Sequence, residues 1–435
     1  MGKKELVAML VNVYFSESGY GDRLLTPHLG IGYISEFLDS KSIPHRVIDM
    51  GLGYSQDDIV AEVQEHNPAV IGFSINSLCM DKTSALLKAV KKASPKTLIV
   101  VGGPHVSTIR SNIFKDCPSA DFAIIGEGEE SFYRILRGVP SEDISGLIYR
   151  DATGNVHENT KRITENLDSL PFPKFKKFEL DKYQEQSIPI LSSRGCPFKC
   201  VFCQQSSLLS KNWRGKSARA FVKEIQYWNE QGYTAYQILD DNFVFDADRL
   251  KEIHHLFKTE DLGDIRIDIV GGVRIGEMTK EKMTMLKDLG VDLLSFGIES
   301  FSDKVLKFIK KGTQKKQIDK IIHMATEMGF KVRLFFIIGL PFETMETIED
   351  MFAFAVKYPV YQVRFFNLVP YEGTLLMDYI DKNGEMLFEY PNYMNHFKKF
   401  QDIPLFTAKD CLSPAQRESA LKRAFELIQT RFDGR

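Results

Sequence analysis

Through the first part of the chain, up to about Leu136, short wholly apolar runs alternate with stretches whose apolar residues return at helical spacing. LVAMLVNVYF, HRVIDM, AVIGFSI, TLIVVGG and DFAIIGEG have the length and composition of buried strands, and LGIGYISEFLDSK, DDIVAEVQEH and DKTSALLKAVKKAS have the pattern of amphipathic helices. Strands apolar on both faces and separated by helices predict a parallel sheet covered on both sides, a doubly wound domain. Ligands of such sheets sit beyond the carboxyl ends of the strands, where SINSLCMD, GGPH and GEGE fall.

The segment ISGLIYRDATGNVHENTKRI predicts a small hairpin turning between Asp151 and Asn155, and in the following LDSLPFPKFKKF the prolines 171 and 173 stop any helix. From Ile188 the alternation resumes with IPILSS, AYQILDD, IDIVGGV, LLSFGIES, KVRLFFIIGLP and YQVRFFNLVP, separated by stretches such as SARAFVKEIQYWNEQG and TKEKMTMLKDLG. Such strand–helix units in succession predict a partial (β/α)6 barrel with its chemistry at the carboxyl ends of the strands. The tail closes with SPAQRESALKRAFELIQTRF, a helical pattern. The boundaries drawn from this pattern are 1–145 for the Rossmann-like sheet, 146–185 for hairpin and linker, 186–385 for the barrel and 386–435 for a helical C-terminal region.

Charge narrows the partners. A formal net charge of −2 over 435 residues offers no basic field for nucleic acid and no polybasic stretch for anionic lipid. No apolar run reaches the roughly 18–20 residues that cross a bilayer, and MGKKELVAMLVNVYF has no signal-peptide cleavage site. The expectation is a cytoplasmic protein that binds neither membrane nor nucleic acid and acts on a small molecule, with a peptide as the alternative.

Three of the 6 cysteines, Cys196, Cys200 and Cys203, stand together in RGCPFKCVFC, directly after the strand IPILSS. Their odd number and a reducing compartment disfavour a disulfide. A structural zinc site closes with four ligands, and the next histidine or cysteine along the chain is His254. An iron–sulfur cluster held by thiolates on three of its irons, with one iron open to a cosubstrate, accounts for the count.

This stretch resembles the signature of the radical S-adenosylmethionine (SAM) superfamily, Cys-x3-Cys-x-aromatic-Cys, with Phe202 as the aromatic residue. The resemblance implies a [4Fe–4S] cluster whose open iron is chelated by SAM, and an external electron donor such as flavodoxin or ferredoxin. It further implies SAM contacts from Asp240, Asp241 and Asn242 in ILDDNF, where the family's usual Gly-Gly-Glu is missing. Glu299 and Ser300 in SFGIES, Arg333, and the Gly339-Leu340-Pro341 turn of FFIIGLPFET complete the implied SAM set.

In the front part, VVGGPH and IIGEGEESF resemble the cobalamin-binding domain of cobalamin-dependent radical SAM enzymes over residues 5–165. By that resemblance Asn76, Ser77 and Leu78 lie near the lower face of the cobalt. Gly102, Gly103, His105, Gly126, Glu127, Gly128 and Glu129 surround the rest of the cofactor. The Asp-x-His-x-x-Gly motif is absent: Thr26 stands two residues before His28 and Gly103 two before His105, so no imidazole from that motif is expected on cobalt. Cys79 and Cys117 read as ordinary buried thiols, since the two-cluster methylthiotransferases need three cysteines in the front domain. His254 and His255 read as residues of a helix surface.

The activity implied is reductive cleavage of SAM to a 5'-deoxyadenosyl radical and methylation, by way of methylcobalamin, of an unactivated carbon in a small biosynthetic substrate. Phe365, Asn367 and Tyr371 are the expected substrate-side residues. Ring formation, contraction or rearrangement without methyl transfer is the alternative within enzymes, and a cobalamin sensor or scaffold with a relic barrel is the alternative outside them.

Overall fold

The computed structural model describes residues 7–15, 26–205, 212–260 and 262–432. They fall into two compact units: one runs up to Gln186 and takes back Tyr390–Lys398, and the other holds Ser187–Glu389 and the chain from Lys399 onward.

The front unit is built on strands β1 (Ala8–Asn12), β2 (His45–Asp49), β3 (Val70–Ser74), β4 (Leu98–Gly102), β5 (Phe122–Ile124), β6 (Leu147–Arg150) and β7 (Val156–Glu158), in the order β2-β1-β3-β4-β5-β6-β7. The β1 to β5 pairings are parallel and the last two antiparallel. Alternate side chains of β1 feed different cores: Met9 and Val11 join Ile71, Phe73, Leu86 and Val90, while Ala8 and Leu10 join Val70, Val100, Ile31 and Phe132. A strand buried on both faces has no polar positions, which is why its sequence reads as an uninterrupted apolar run. The first residue of the expected strand, Leu6, lies outside the described residues.

The expected hairpin joins this sheet as its antiparallel edge. Its turn is closed by Asp151, whose Oδ1 accepts from the backbone N–H of Thr153 (2.9 Å) and Asn155 (3.0 Å). The linker after it packs on the same unit: Tyr183 donates to Asp49 Oδ2 at 2.8 Å, and Phe175 covers Gly32 so closely that a Cβ there would lie 2.5 Å from its ring. From the far end of the chain, Tyr393 and Met394 are buried in this unit, and the Asp81 N–H donates to Asn395 Oδ1 at 3.3 Å.

The second unit carries β8 (Ile188–Ile190), β9 (Ala235–Ile238), β10 (Arg266–Val273), β11 (Val291–Glu299), β12 (Lys331–Ile338) and β13 (Gln362–Asn367), a parallel sheet in strict chain order. Val332, Leu334, Phe336 and Ile338 of β12 are fully buried on the side where the helices pack, and the residues between them face the other way. The tail is not wholly helical. Gly384–Met386 and Phe406–Ala408 pair antiparallel before the long helix Pro414–Arg431, and the backbones approach so closely at Gly384 that a Cβ would collide with the Thr407 carbonyl.

Candidate functional site

The cysteine loop leaves β8 and returns through a two-residue ribbon in which Ser193 and Arg194 pair with Gly215 and Arg214. Between these ends Cys196 and Cys203 are half-buried and Cys200 buried. The loop is stitched to the barrel at Val201, whose N–H donates to the Ile309 carbonyl (3.2 Å) and whose carbonyl accepts from Leu376 N (2.9 Å). Burial pushes the Cys196 thiol up, with Asp241 and Cys200 adding to it against the Phe198 N–H and Arg274. Among the described residues no group of three or more His, Cys, Asp or Glu side chains converges on a single metal ion. A cluster with a separate iron for each thiolate requires no such convergence, so three thiols on one anchored loop fit it.

At the end of β9 the two acids separate in role. Asp240 is fully buried and takes Ser192 N (2.6 Å), Ser192 Oγ (2.6 Å) and Ser193 Oγ (2.5 Å), tying the end of β8 to its neighbour. Three of its acceptor sites are thus taken within the protein. Asp241 accepts the Gly195 N–H at 3.2 Å, and burial with Asp240 beside it pushes its carboxyl up to about 6. Asn242 is buried, and among the described residues neither its side-chain oxygen nor its nitrogen is bonded, a polar amide with capacity to spare in the same turn. Trp213 donates to the Asn242 carbonyl at 3.1 Å, and Arg249 donates to the carbonyls of Lys216 (2.6 Å) and Ser192 (3.3 Å), so the turn is braced from below. Gly271 on β10 has to be glycine, because a Cβ would strike the Asp240 carbonyl.

At the end of β11 Glu299 adopts φ +64°, a left-handed conformation that costs a β-strand residue strain and turns its carboxylate onto Lys311 Nζ at 2.8 Å. Gly297 leaves the room: a Cβ there would lie 2.5 Å from Glu299 Oε1. Ser300 is buried next to it. Arg333, also expected at SAM, stands on β12. It is paired in register with Ser295 and lies six residues, roughly 20 Å of strand, before Gly339.

Sequence reasoning passed over two cations at this edge. Lys311 is one; Arg274, just past the end of β10, is the other, with Nη1 3.3 Å from Cys200 Sγ and its guanidinium 3.7 Å over the Phe198 ring. Neither sits in a recognisable motif, and each meets its partner through the fold.

The Gly339-Leu340-Pro341 turn follows β12 with φ +110° at Gly339, and Leu340 is fully buried. The Gly339 N–H donates to Glu343 Oε2 at 2.8 Å, and the Arg417 guanidinium packs so near that a Cβ on Gly339 would lie 2.7 Å from Nη2. Arg417 is fully buried, donates to the Phe406 carbonyl at 2.8 Å and lies 4.2 Å over the Phe406 ring. Burial pushes Glu343 up to about 8, against the Gly339 N–H and Arg417, and brings Arg417 down to about 10.

The expected substrate-side residues divide by strand parity. Phe365 stacks on Phe336 (5.1 Å) and meets Phe352 of the helix Met345–Ala355 (5.3 Å), so it packs on the helix-covered face. Its neighbour Phe366, 47% exposed, pairs with Phe335 at 5.8 Å on the opposite face. Asn367 is turned to the tail, donating to the carbonyls of Phe400 (3.0 Å) and Ile403 (2.7 Å), and Tyr371 closes a turn whose carbonyl accepts from Thr374 Oγ1 at 2.7 Å.

In the front unit the strand ends present mostly backbone and neutral groups. Asn76 Oδ1 accepts from Leu78 N at 2.8 Å, shaping the loop above β3, and Leu78 is buried. Gly103 has φ +100°, and a Cβ on it would lie 2.7 Å from the Ile75 carbonyl; a Cβ on Gly102 would meet nothing nearer than the Ile124 carbonyl at 3.7 Å, so the space beside it is open. Gly126, φ +79°, donates to Ser107 Oγ at 3.0 Å, Glu127 accepts from Thr164 N at 2.9 Å, Gly128 abuts Ile34, and Glu129 is buried. His105, expected at the cofactor, is a buried strut: Nδ1 is 3.0 Å from Ser77 Oγ and Nε2 3.4 Å from Asp116. His28 caps the helix Leu29–Ser40, accepting from Ile31 N at 3.1 Å, with Nε2 3.4 Å from Ser74 Oγ. An open shelf of glycines and loop backbone at the strand ends suits a large planar cofactor approaching the main chain.

The comparisons with known proteins match both units. The family model of the radical SAM superfamily matches residues 190–355, and that of the B12 binding domain matches residues 23–136. The chain is 29% identical over 369 residues to the uncharacterized methyltransferase PH0819 of Pyrococcus horikoshii, covering 83% of this chain and 80% of that protein. It is 26% identical over 413 residues to the cytidylyl-2-hydroxyethylphosphonate methyltransferase of Streptomyces wedmorensis, covering 80% of this chain and 77% of that protein. Among solved structures, the radical SAM methyltransferase TsrM from Kitasatospora setae, with tryptophan substrate and a SAM analog bound, superposes with a TM-score of 0.77 at 14% identity, covering 97% of this chain and 89% of that one. With a B12 binding domain ahead of a radical SAM domain, the chain belongs to the cobalamin-dependent radical SAM enzymes, whose cofactors are a [4Fe–4S] cluster, SAM and cobalamin.

Proposed function

We propose that the enzyme transfers a methyl group from SAM to an unactivated carbon of a small biosynthetic substrate. The observation that carries this reading is that relatives named as methyltransferases match the chain across 83% and 80% of its length. When bound, the cluster with SAM supplies a carbon-centred radical and cobalamin supplies the methyl group. The chain's own residues do the rest. Cys196, Cys200 and Cys203 hold the cluster. Asp241 and the unbonded amide of Asn242 receive the SAM amino group, a cation suited to a carboxylate. Lys311, fixed by Glu299, takes the SAM carboxylate in place of Arg333. The Gly339 turn offers backbone to the adenine. Phe335 and Phe366 give the substrate side an apolar wall, which excludes water and leaves a reactive carbon few neighbours to attack. Asn76, Ser77, Leu78, Gly102, Gly103 and Gly126 line the cobalamin shelf.

Protein reconstituted anaerobically with iron, sulfide and hydroxocobalamin should hold about four irons per chain, together with one cobalt for each cobalamin. With methyl-labelled SAM and a low-potential reductant it should release 5'-deoxyadenosine, and the product should carry the label. Iron without cobalt would remove cobalamin from the reading, and a product without label would turn it to ring formation or rearrangement.

A further inference from the structure

Arg274 stands one residue beyond β10 and touches the cysteine loop. Its Nη1 lies 3.3 Å from Cys200 Sγ, and Cys200 is 8% exposed. The rest of the guanidinium is fixed on other sides. Its plane lies 3.7 Å over the ring of Phe198, inside the cysteine loop, and its Nη2 donates to the carbonyls of Lys310 (3.3 Å) and Lys311. Gly312, at φ +66°, makes room for this, since a Cβ there would lie 2.8 Å from Nη2. A sulfur, two carbonyl oxygens and an aromatic face thus hold one planar cation. Only arginine has the shape to meet all of them, because lysine carries a point charge with no second donor fork and no flat face.

We infer that Arg274 is a positioning residue that holds the Cys200 thiolate by a charge-assisted N–H···S hydrogen bond and thereby raises the reduction potential of the cluster. The inference rests on the cluster assignment above. Reduction adds one electron from an external one-electron donor and makes the cluster and its thiolates more negative. No bond or proton changes hands at Arg274. A fixed cation and hydrogen bond at a ligand sulfur stabilise the more negative state more than the oxidised one, so the potential rises.

The test uses the full chain reconstituted with iron, sulfide and hydroxocobalamin, as wild type, Arg274→Lys and Arg274→Gln. Iron and cobalt contents, the midpoint potential by redox titration followed by electron paramagnetic resonance without SAM, and SAM affinity are measured on each. The expected result is wild-type iron and cobalt in the lysine variant and a midpoint displaced to more negative values, further for glutamine than for lysine. For glutamine the reduced-to-oxidised ratio at a fixed poise should fall roughly tenfold, which is about 59 mV for a one-electron couple. An unchanged midpoint at full iron content would overturn the inference. So would weakened SAM affinity at an unchanged midpoint, which would make Arg274 a cosubstrate contact, and so would loss of iron from both variants, which would make it a residue of loop folding. Wild-type protein that takes up no iron would instead sink the cluster assignment and the inference with it.

Discussion

The two sheets present their strand ends in different ways. At the barrel edge the groups are charged, buried and paired: Asp240 with three donors, Glu299 with Lys311, Lys216 with Glu224, and Arg274 on Cys200. At the front edge carboxylates such as Asp49 and Glu127 accept from neutral donors, and the rest are glycines, loop backbone and neutral hydrogen bonds such as Asn76 to Leu78 and His105 to Ser77. Burying charge is expensive unless each ion is bonded on several sides, so the barrel edge is a rigid lattice in which every member depends on the next. An edge made of backbone avoids that cost and instead depends on shape, on glycines at positions where a Cβ has no place. One edge suits a charged cosubstrate and an electron-accepting cluster; the other suits a broad cofactor that lies against main chain.

The largest expected effect isolates the two edges. Cys200→Ala should abolish iron binding and 5'-deoxyadenosine formation while leaving cobalamin uptake at wild-type level; a parallel loss of cobalamin would break the comparison. Next comes Asp240→Ala, which leaves Ser192, Ser193 and Arg249 facing an empty site and should cost about 3–5 kcal/mol of stability, read from urea unfolding of the full chain. A cost below 1 kcal/mol, on the scale of surface substitutions, would mean that the charge lattice is not what holds the barrel edge. Gly103→Ala at the front edge should cost about 1–3 kcal/mol and weaken cobalamin binding while iron content stays at wild type. The smallest effect concerns pH. Glu343 is raised from the ordinary 4.5 to about 8 by burial, near the cation Arg417 and the Cys411 thiol. The native state therefore holds a proton that the unfolded state has released, so this group's contribution is whole below 4.5 and is lost as pH rises through about 8. Glu343→Gln should flatten that slope between 4.5 and about 8.

The alternation of apolar runs and helical periods carried the class of both sheets, because a strand buried on two faces leaves an unmistakable run such as AMLVN. It did not carry the edge hairpin's membership of the front sheet, since pairing between β5 and β6 is a contact in space with no local signal. The cysteine spacing is local and was readable. Arg274, Lys311 and Arg417 were not, because each acquires its role from a partner on another strand or helix. The face of Phe365 shows a similar ambiguity: in RFFN both neighbours are apolar, so period two gives no parity, and only the stacking of Phe365 under the helices shows which face it takes. Asp240 shows the reverse case, a residue conspicuous in sequence whose bonds to Ser192 and Ser193 only the fold reveals.

The front unit takes Tyr393 and Met394 into its interior from beyond the barrel sequence. On the ribosome, then, the unit that emerges first cannot finish until most of the chain has followed it. Its sheet is available once Glu158 has left the exit tunnel, but its last buried pieces arrive only after the whole barrel has been made. A nascent front sheet must wait, partly uncovered, through the synthesis of more than half the protein, and a stall anywhere in the barrel would leave it in that state.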